Sequence, residues 1–367
     1  MPINIFLLAF VIILGIIMGQ KDDKKRRGSY IIFCSILLLF IGSFRSPDWF
    51  TYKYNIDTAH YADKFSDTFD MGWDEFWAAV FARYIGLNDD TDIGFVALEK
   101  LISLFTHDFQ FYSLLVELLF FIPFGLLLYR YSTAMRQIVF AYVFYIALVQ
   151  IYILGGVRQM YAIGLDILAV MAMIDGKKIR SVLLVLLGAT IHFSSLLTFI
   201  PLLAIWLDIN AKPLKAIHAV SFLLVPIVFM NPNLFIGFMT DAAGLERYNN
   251  YDSELMGGGT TFIVLLELLS LFIFISINYR ELKSNKSLRA FYIMAPLFTL
   301  FCPLIRSNGT MSRITLYFYL YVVLLFPYGM DVLFKKQYRA LAYVFSIAAL
   351  TLLILRNGLE YYFVWQR

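Results

Sequence analysis

Five arginines, one aspartate and one histidine stand at or near the ends of long apolar runs: Arg45, Asp48, Arg158, His192, Arg247, Arg306 and Arg313. Arginine is costly at membrane depth, so several gathered on one side of a helical bundle call for a common partner. The natural partner is an anion. A guanidinium keeps its charge and offers a planar fork to paired oxygens, which suits a diphosphate at the level of lipid headgroups. The plainer account is snorkelling with structural ion pairs, for which Asp241, Glu246 and Glu360 are available. Arg158 stands out because Gly155-Gly156-Val157-Arg158-Gln159 joins two apolar runs with almost no loop, aiming Arg158 and Gln159 into a cavity between helices. His192 titrates near neutrality and is the best proton acceptor of the set, although a satisfied core histidine is the commoner case; Asp48 is its rival.

The elements that carry these residues follow from composition. With 60% hydrophobic, 18% aromatic and 15% charged residues, the chain is no ordinary soluble domain. Its apolar runs approach twenty residues, the length of a bilayer-spanning helix, and strand-length alternation is absent. The expected fold is an all-α polytopic membrane protein, one integral membrane domain over 1–367, with about twelve transmembrane helices near 3–18, 30–44, 109–129, 137–154, 159–174, 180–192, 194–207, 214–231, 260–278, 290–304, 314–332 and 339–355. Residues 46–108 are too polar to span but rich in Trp and Phe. They predict a structured outer loop between spans 2 and 3, with an interfacial helix over Ile93 to Phe105. Residues 232–259 form a second outer loop. The stretch 180–207 is long for one helix and short for two, and the polar step Thr190 to Ser195 predicts a tight hairpin with His192 at its tip.

Charge orients the bundle. Loops assigned inside hold 19 of the 30 basic residues, beginning with the block Lys21 to Arg27, which follows rather than precedes the first apolar run. This is the reverse of a secretory signal and places both termini outside under the positive-inside rule. The net charge of +4 is too small to suggest nucleic acid. Cys34 and Cys302 have no paired spacing, and His60, His107 and His218 have no ligand spacing, so neither a disulfide framework nor a metal site is expected. Asp90-Thr91-Asp92 matches the D-x-D of metal-dependent sugar transfer by chance-level length only. Gly257-Gly258-Gly259 lacks the lysine of a phosphate loop and reads as a flexible lead into the next span.

Four short motifs together carry a resemblance: Phe44-Arg45…Asp48-Trp49…Tyr52, Asp92-Ile93-Gly94-Phe95, Gly156-Val157-Arg158-Gln159, and Ala189-Thr190-Ile191-His192-Phe193-Ser194-Ser195. In order and spacing the chain resembles the EpsG-like, Wzy-type polymerases of bacterial exopolysaccharide and O-antigen synthesis. Two departures are visible: the step from Arg45 to Asp48-Trp49 is shorter than usual, and the second motif begins with Asp rather than Glu. The resemblance implies a GT-C-like plan in the bacterial inner membrane. It also implies transfer of a growing glycan from undecaprenyl pyrophosphate to a lipid-linked repeat unit at the outer face.

On that reading Arg45, Arg158, Arg313, Arg247 and Arg306 bind the diphosphate, and His192 or Asp48 is the base. Trp49, Tyr52, Gln159 and Tyr248 contact the glycan. No cofactor or metal is expected. Membrane lipids, a flippase and a chain-length regulator are the expected partners. A ligase acting on the same donor uses equivalent chemistry. A transporter of lipid-linked sugars would instead show internal repeats and ionisable groups at mid-membrane.

Overall fold

The computed structural model describes residues 3–54, 57–84, 92–231, 260–306, 313–356 and 360–366; the side chains at 50, 52–54, 83, 84, 151–153, 306 and 356 lie outside that description. The described residues are predominantly helical, and their one strand-like pairing is an isolated antiparallel bridge, Arg45 to Phe363. Among the described residues, seven helices are long and apolar enough to cross a membrane, and four shorter apolar helices accompany them. The chain is an all-α polytopic membrane protein. It divides into two compact units, residues 1–199 with 344–367, and residues 200–343.

In the first unit, α1 (Ile3–Gly19) and α2 (Lys24–Ser43) precede α3 (Pro47–Tyr54), α4 (Thr58–Asp70), α5 (Trp73–Tyr84) and α6 (Ile93–Ser103). Then come α7 (Phe109–Tyr131), α8 (Met135–Phe144), a π-turn (Tyr145–Val149), α9 (Gln150–Gly155), α10 (Val157–Ile174) and α11 (Lys178–Ile191). The second helix starts six residues before the expected position 30. Asp23 caps it by accepting from the Arg26 amide at 2.8 Å, so Lys24 to Arg27 of the basic block lie on the helix and not in a loop. The described residues of the polar segment after α2 fold into four helices. In α4 the buried residues are Thr58, Tyr61, Phe65 and Thr68, a 3-4-3 spacing that presents one face to α3 and α6.

The spans are tied by hydrogen bonds where hydrocarbon offers no competing partner. The Tyr30 hydroxyl donates to the Val11 carbonyl at 2.9 Å, linking α1 and α2. The Tyr142 hydroxyl bonds Ser35 at 2.7 Å and the Ile31 carbonyl at 3.1 Å, linking α2 and α8. Phe120, Phe124 and Tyr145 pack beside this network with ring centroids 5.6–6.1 Å apart.

The break expected within 180–207 falls at His192, which is extended (φ −153°, ψ 114°) between α11 and a 3-10 turn over Phe193–Thr198 that runs into α12 (Phe199–Trp206). Ser195 inside this turn donates to Asp166 of α10 at 2.6 Å. That bond fixes how the turn lies on its neighbour.

In the second unit, α13 (Ala211–Met230) carries a fully buried His218. Its Nδ1 lies 2.8 Å from the Tyr292 hydroxyl and its Nε2 2.9 Å from Ser270 and 3.2 Å from Thr299. His218 is thus a satisfied core histidine that joins three helical segments. The expected second outer loop, 232–259, lies outside the described residues.

Candidate active site

The site is built on the turn that closes α2. Arg45, just past the helix end, turns inward and is 2% exposed. Its Nη1 lies 2.9 Å from Oε1 of Glu117, a residue of α7 that is 3% exposed, and also donates to the Gly42 carbonyl. Its Nη2 donates to the Leu154 carbonyl at 3.2 Å, and its Nε approaches Thr58 at 3.5 Å. A Cβ on Gly42 would sit 2.1 Å from Glu117 Oε2, so only glycine lets the carboxylate come this close to α2. Two desolvated charges satisfy each other here, and neither can be removed alone without a large cost.

The end of the chain completes this turn. The Ser46 amide donates to the Tyr362 carbonyl at 2.9 Å and the Val364 amide to the Phe44 carbonyl at 3.0 Å, while the Tyr361 hydroxyl bonds the Ile41 carbonyl. Trp49 packs on Tyr362 with centroids 4.4 Å apart and rests against Leu154. Asp48 is exposed in the first turn of α3.

Arg45 fixes the Leu154 carbonyl, and four residues later Arg158 emerges in the first turn of α10. Its Nη1 is 2.5 Å from Oδ2 of Asp92, the residue preceding α6. The guanidinium lies 5.9 Å from the Tyr61 ring and 5.7 Å from the Phe95 ring, within cation–π range. Arg158 keeps 27% of its side chain accessible, against 7% for Asp92.

Beside Asp92, a Cβ added to Gly94 would meet Thr190 Oγ1 at 2.1 Å and the Thr190 carbonyl carbon at 2.9 Å. The start of α6 therefore lies directly on the end of α11, two residues from the half-buried His192. Gln159 is buried next to Arg158. Three stretches far apart in sequence, 92–95, 156–159 and 189–195, meet here, and 44–52 is tied to them through Leu154.

Two acids and a lysine that sequence reasoning passed over support this corner. Glu99 of α6 is fully buried and accepts from the Tyr112 hydroxyl at 3.1 Å; burial pushes its carboxyl up to about 7, against the opposing pull of that hydrogen bond. Lys100 donates to the Thr68 carbonyl at 3.1 Å and the Phe69 carbonyl at 3.4 Å, closing the C-terminal end of α4. Glu117 carried a usable signal: an ionisable residue inside an apolar run implies a buried partner.

The remaining expected residues lie elsewhere. Arg313 is half-buried at the start of a 3-10 turn (Arg313–Thr315) in the second unit. Arg306 ends the 3-10 turn Cys302–Arg306, and its side chain lies outside the description, as does that of Tyr52 in α3. Arg247 and Tyr248 lie outside the described residues. Among the described residues no three His, Cys, Asp or Glu side chains converge as a metal-binding group would.

A multi-span helical bundle with four helices inserted between its second and third long apolar segments, and an arginine–carboxylate–aromatic corner built on them, defines a polytopic membrane protein. The chain belongs to the EpsG family, whose model it matches over residues 27–366. No curated protein and no solved structure matched. Family membership gives the chain a polysaccharide-polymerase type of role in polysaccharide biosynthesis.

Proposed function

We propose that the protein transfers a growing glycan from undecaprenyl pyrophosphate to a lipid-linked repeat unit at the outer face of the bacterial inner membrane, by a metal-independent, inverting reaction. The observation that supports this best is the meeting of Arg158, Asp92 and the His192 turn at one partly open corner.

In this reading Asp92 holds the Arg158 guanidinium in place. The ion pair occupies part of a group that carries five N–H donors, so it does not exhaust the fork a diphosphate would use. As the anomeric C–O bond of the donor breaks, its electron pair leaves with the pyrophosphate, and Arg158 stabilises the charge that develops there. The hydroxyl of the acceptor sugar attacks the anomeric carbon from the opposite side and gives its proton to the neutral imidazole of His192, or to Asp48. Trp49, Tyr52 and Gln159 serve the glycan.

The burial of Arg45 favours a positioning part for it: it fixes Leu154, and so the turn that carries Arg158, from beneath. Arg313, Arg306 and Arg247 stay in the proposal as further diphosphate contacts, each tested by its own Lys variant.

The test is reconstitution of purified protein in liposomes with a lipid-pyrophosphate repeat unit, in chelator and without ATP. Elongation with inversion at the donor's anomeric carbon is expected. Transfer only to a non-lipid acceptor would make the protein a ligase, and lipid movement without new glycosidic bonds would make it a transporter. His192→Gln should leave donor binding nearly intact while polymer yield collapses; normal polymer from that variant, with an unchanged pH profile, would move the base to Asp48.

A further inference from the structure

A groove of about 560 Å³ runs along the first unit between α2 and α7, toward the end of α2 opposite Arg45. Lys24, Lys25, Ser29 and Tyr129 line one end of it, and Ile32, Ile36, Phe121 and Ile122 line the rest. From Lys24 to Leu39 the lined part of α2 covers fifteen residue steps, roughly 22 Å, about the length of an extended acyl chain. The apolar walls are open to the surroundings: Ile32 and Ile36 are each 57% exposed and Ile122 is 55%. Gly28 and Gly125, one from each helix, form part of the lining, and a Cβ on either would meet Tyr129 or Ile31 of the facing helix at 3.1 Å.

Charge separates this groove from an ordinary lipid-facing furrow. The block Lys24 to Arg27 splits by role. Arg26 turns to Asp23, and Arg27 to Asp22 at 3.4 Å and the Ser132 carbonyl at 2.9 Å. Both lysines instead line the groove, with the Lys24 ammonium 5.1 Å from the Tyr129 ring. Two compact cations at the mouth of an apolar slot match a phosphate joined to hydrocarbon, and they oppose the extra ammonium of a zwitterionic headgroup.

We propose that this groove is a binding site for an anionic phospholipid, with its phosphate between Lys24 and Lys25 and one acyl chain along α2 and α7. The site is independent of the polymerase reading. Its phosphate end lies at the other end of a 20-residue helix from Arg45, roughly 30 Å away and therefore at the opposite membrane surface.

The test uses delipidated full-length protein in detergent, titrated with phosphatidylglycerol, phosphatidylcholine or undecaprenyl phosphate and read by native mass spectrometry and thermal shift. Phosphatidylglycerol should bind in preference to phosphatidylcholine and raise the melting midpoint. Lys24→Ala/Lys25→Ala should weaken it on the order of thirtyfold, Lys24→Arg/Lys25→Arg should keep it, and Ile36→Trp or Ile122→Trp should block it with the charges intact. All four replacements fall on exposed side chains, and helical circular dichroism checks that each variant is folded. Equal binding of both phospholipids, unchanged affinity in the double Ala variant, retention in both Trp variants, preference for undecaprenyl phosphate, or a groove masked by self-association would each overturn the proposal.

Discussion

Arg45 and Arg158 look alike in sequence, each at the end of an apolar run, yet their surroundings divide their work. Arg45 is sealed against Glu117, whereas Arg158 is held at an open corner by Asp92. Removing one member of the buried pair leaves an uncompensated charge, so Arg45→Met or Glu117→Leu should each cost about 3–5 kcal/mol, and the double apolar variant should recover most of that. Thermal unfolding in detergent measures all three. Lys variants separate positioning from binding: Arg158→Lys should raise the KM for the lipid donor, and Arg45→Lys should lower the melting midpoint with KM nearly unchanged. A raised KM with an unaltered midpoint in Arg45→Lys would make Arg45 a direct ligand.

Glu99 provides a pH test at the same scale. Its folded-state pKa, about 7, lies above the ordinary carboxylate value because of burial. Between those two values the folded state binds more protons than the unfolded one, so stability falls as pH rises through this window. The melting midpoint should therefore drop from about pH 5 to about pH 7.5 in the wild type, and Glu99→Gln should flatten that slope.

At the scale of elements, the site depends on a contact between the start of α6 and the end of α11 that leaves no room for a β-carbon. Gly94→Ala must push Thr190 aside, which should cost about 1–3 kcal/mol and reduce polymer formation more than tenfold, since it shifts the His192 turn against Asp92. Parallel measurement of melting midpoint and polymer yield checks this, and full activity would detach the α6–α11 contact from the chemistry. The tail is a second such element. Residues 361–364 are the clasp on the Arg45 turn, so truncation after 359 should loosen 41–49. Faster amide exchange over those residues and lower activity are expected, with α10 protection retained.

For the whole molecule, the basic asymmetry predicts orientation. Single cysteines at 60, 247 and 308 should react with an impermeant thiol reagent in intact spheroplasts, and those at 24, 178 and 284 should not. The native Cys34 and Cys302 are both buried, so background labelling should be low. Labelling of the second group alone would invert the topology.

The amino-acid sequence determined the class of this protein and the order of its helices. Apolar runs of bilayer length fold as helices, which satisfy their own backbone hydrogen bonds, so of about twelve expected spans the described residues show seven long apolar helices and four shorter ones; the expected span at 180–192 is the 14-residue α11, which falls in neither group. Two differences in bounds have local causes: Asp23 starts α2 early, and the Thr190 to Ser195 step breaks at the extended His192 and runs into a 3-10 turn over Phe193–Thr198 held by Asp166. The candidate site was legible as residue types, since Arg45, Arg158 and His192 all stood out in their runs. Their roles were not, because a role depends on the partner. Glu117 lies 72 positions from Arg45 and Asp92 lies 66 from Arg158, and the tail meets α2 across 320 positions. Only the packing of α2, α6, α7 and α10 decided which arginine was buried with a carboxylate and which was left partly open.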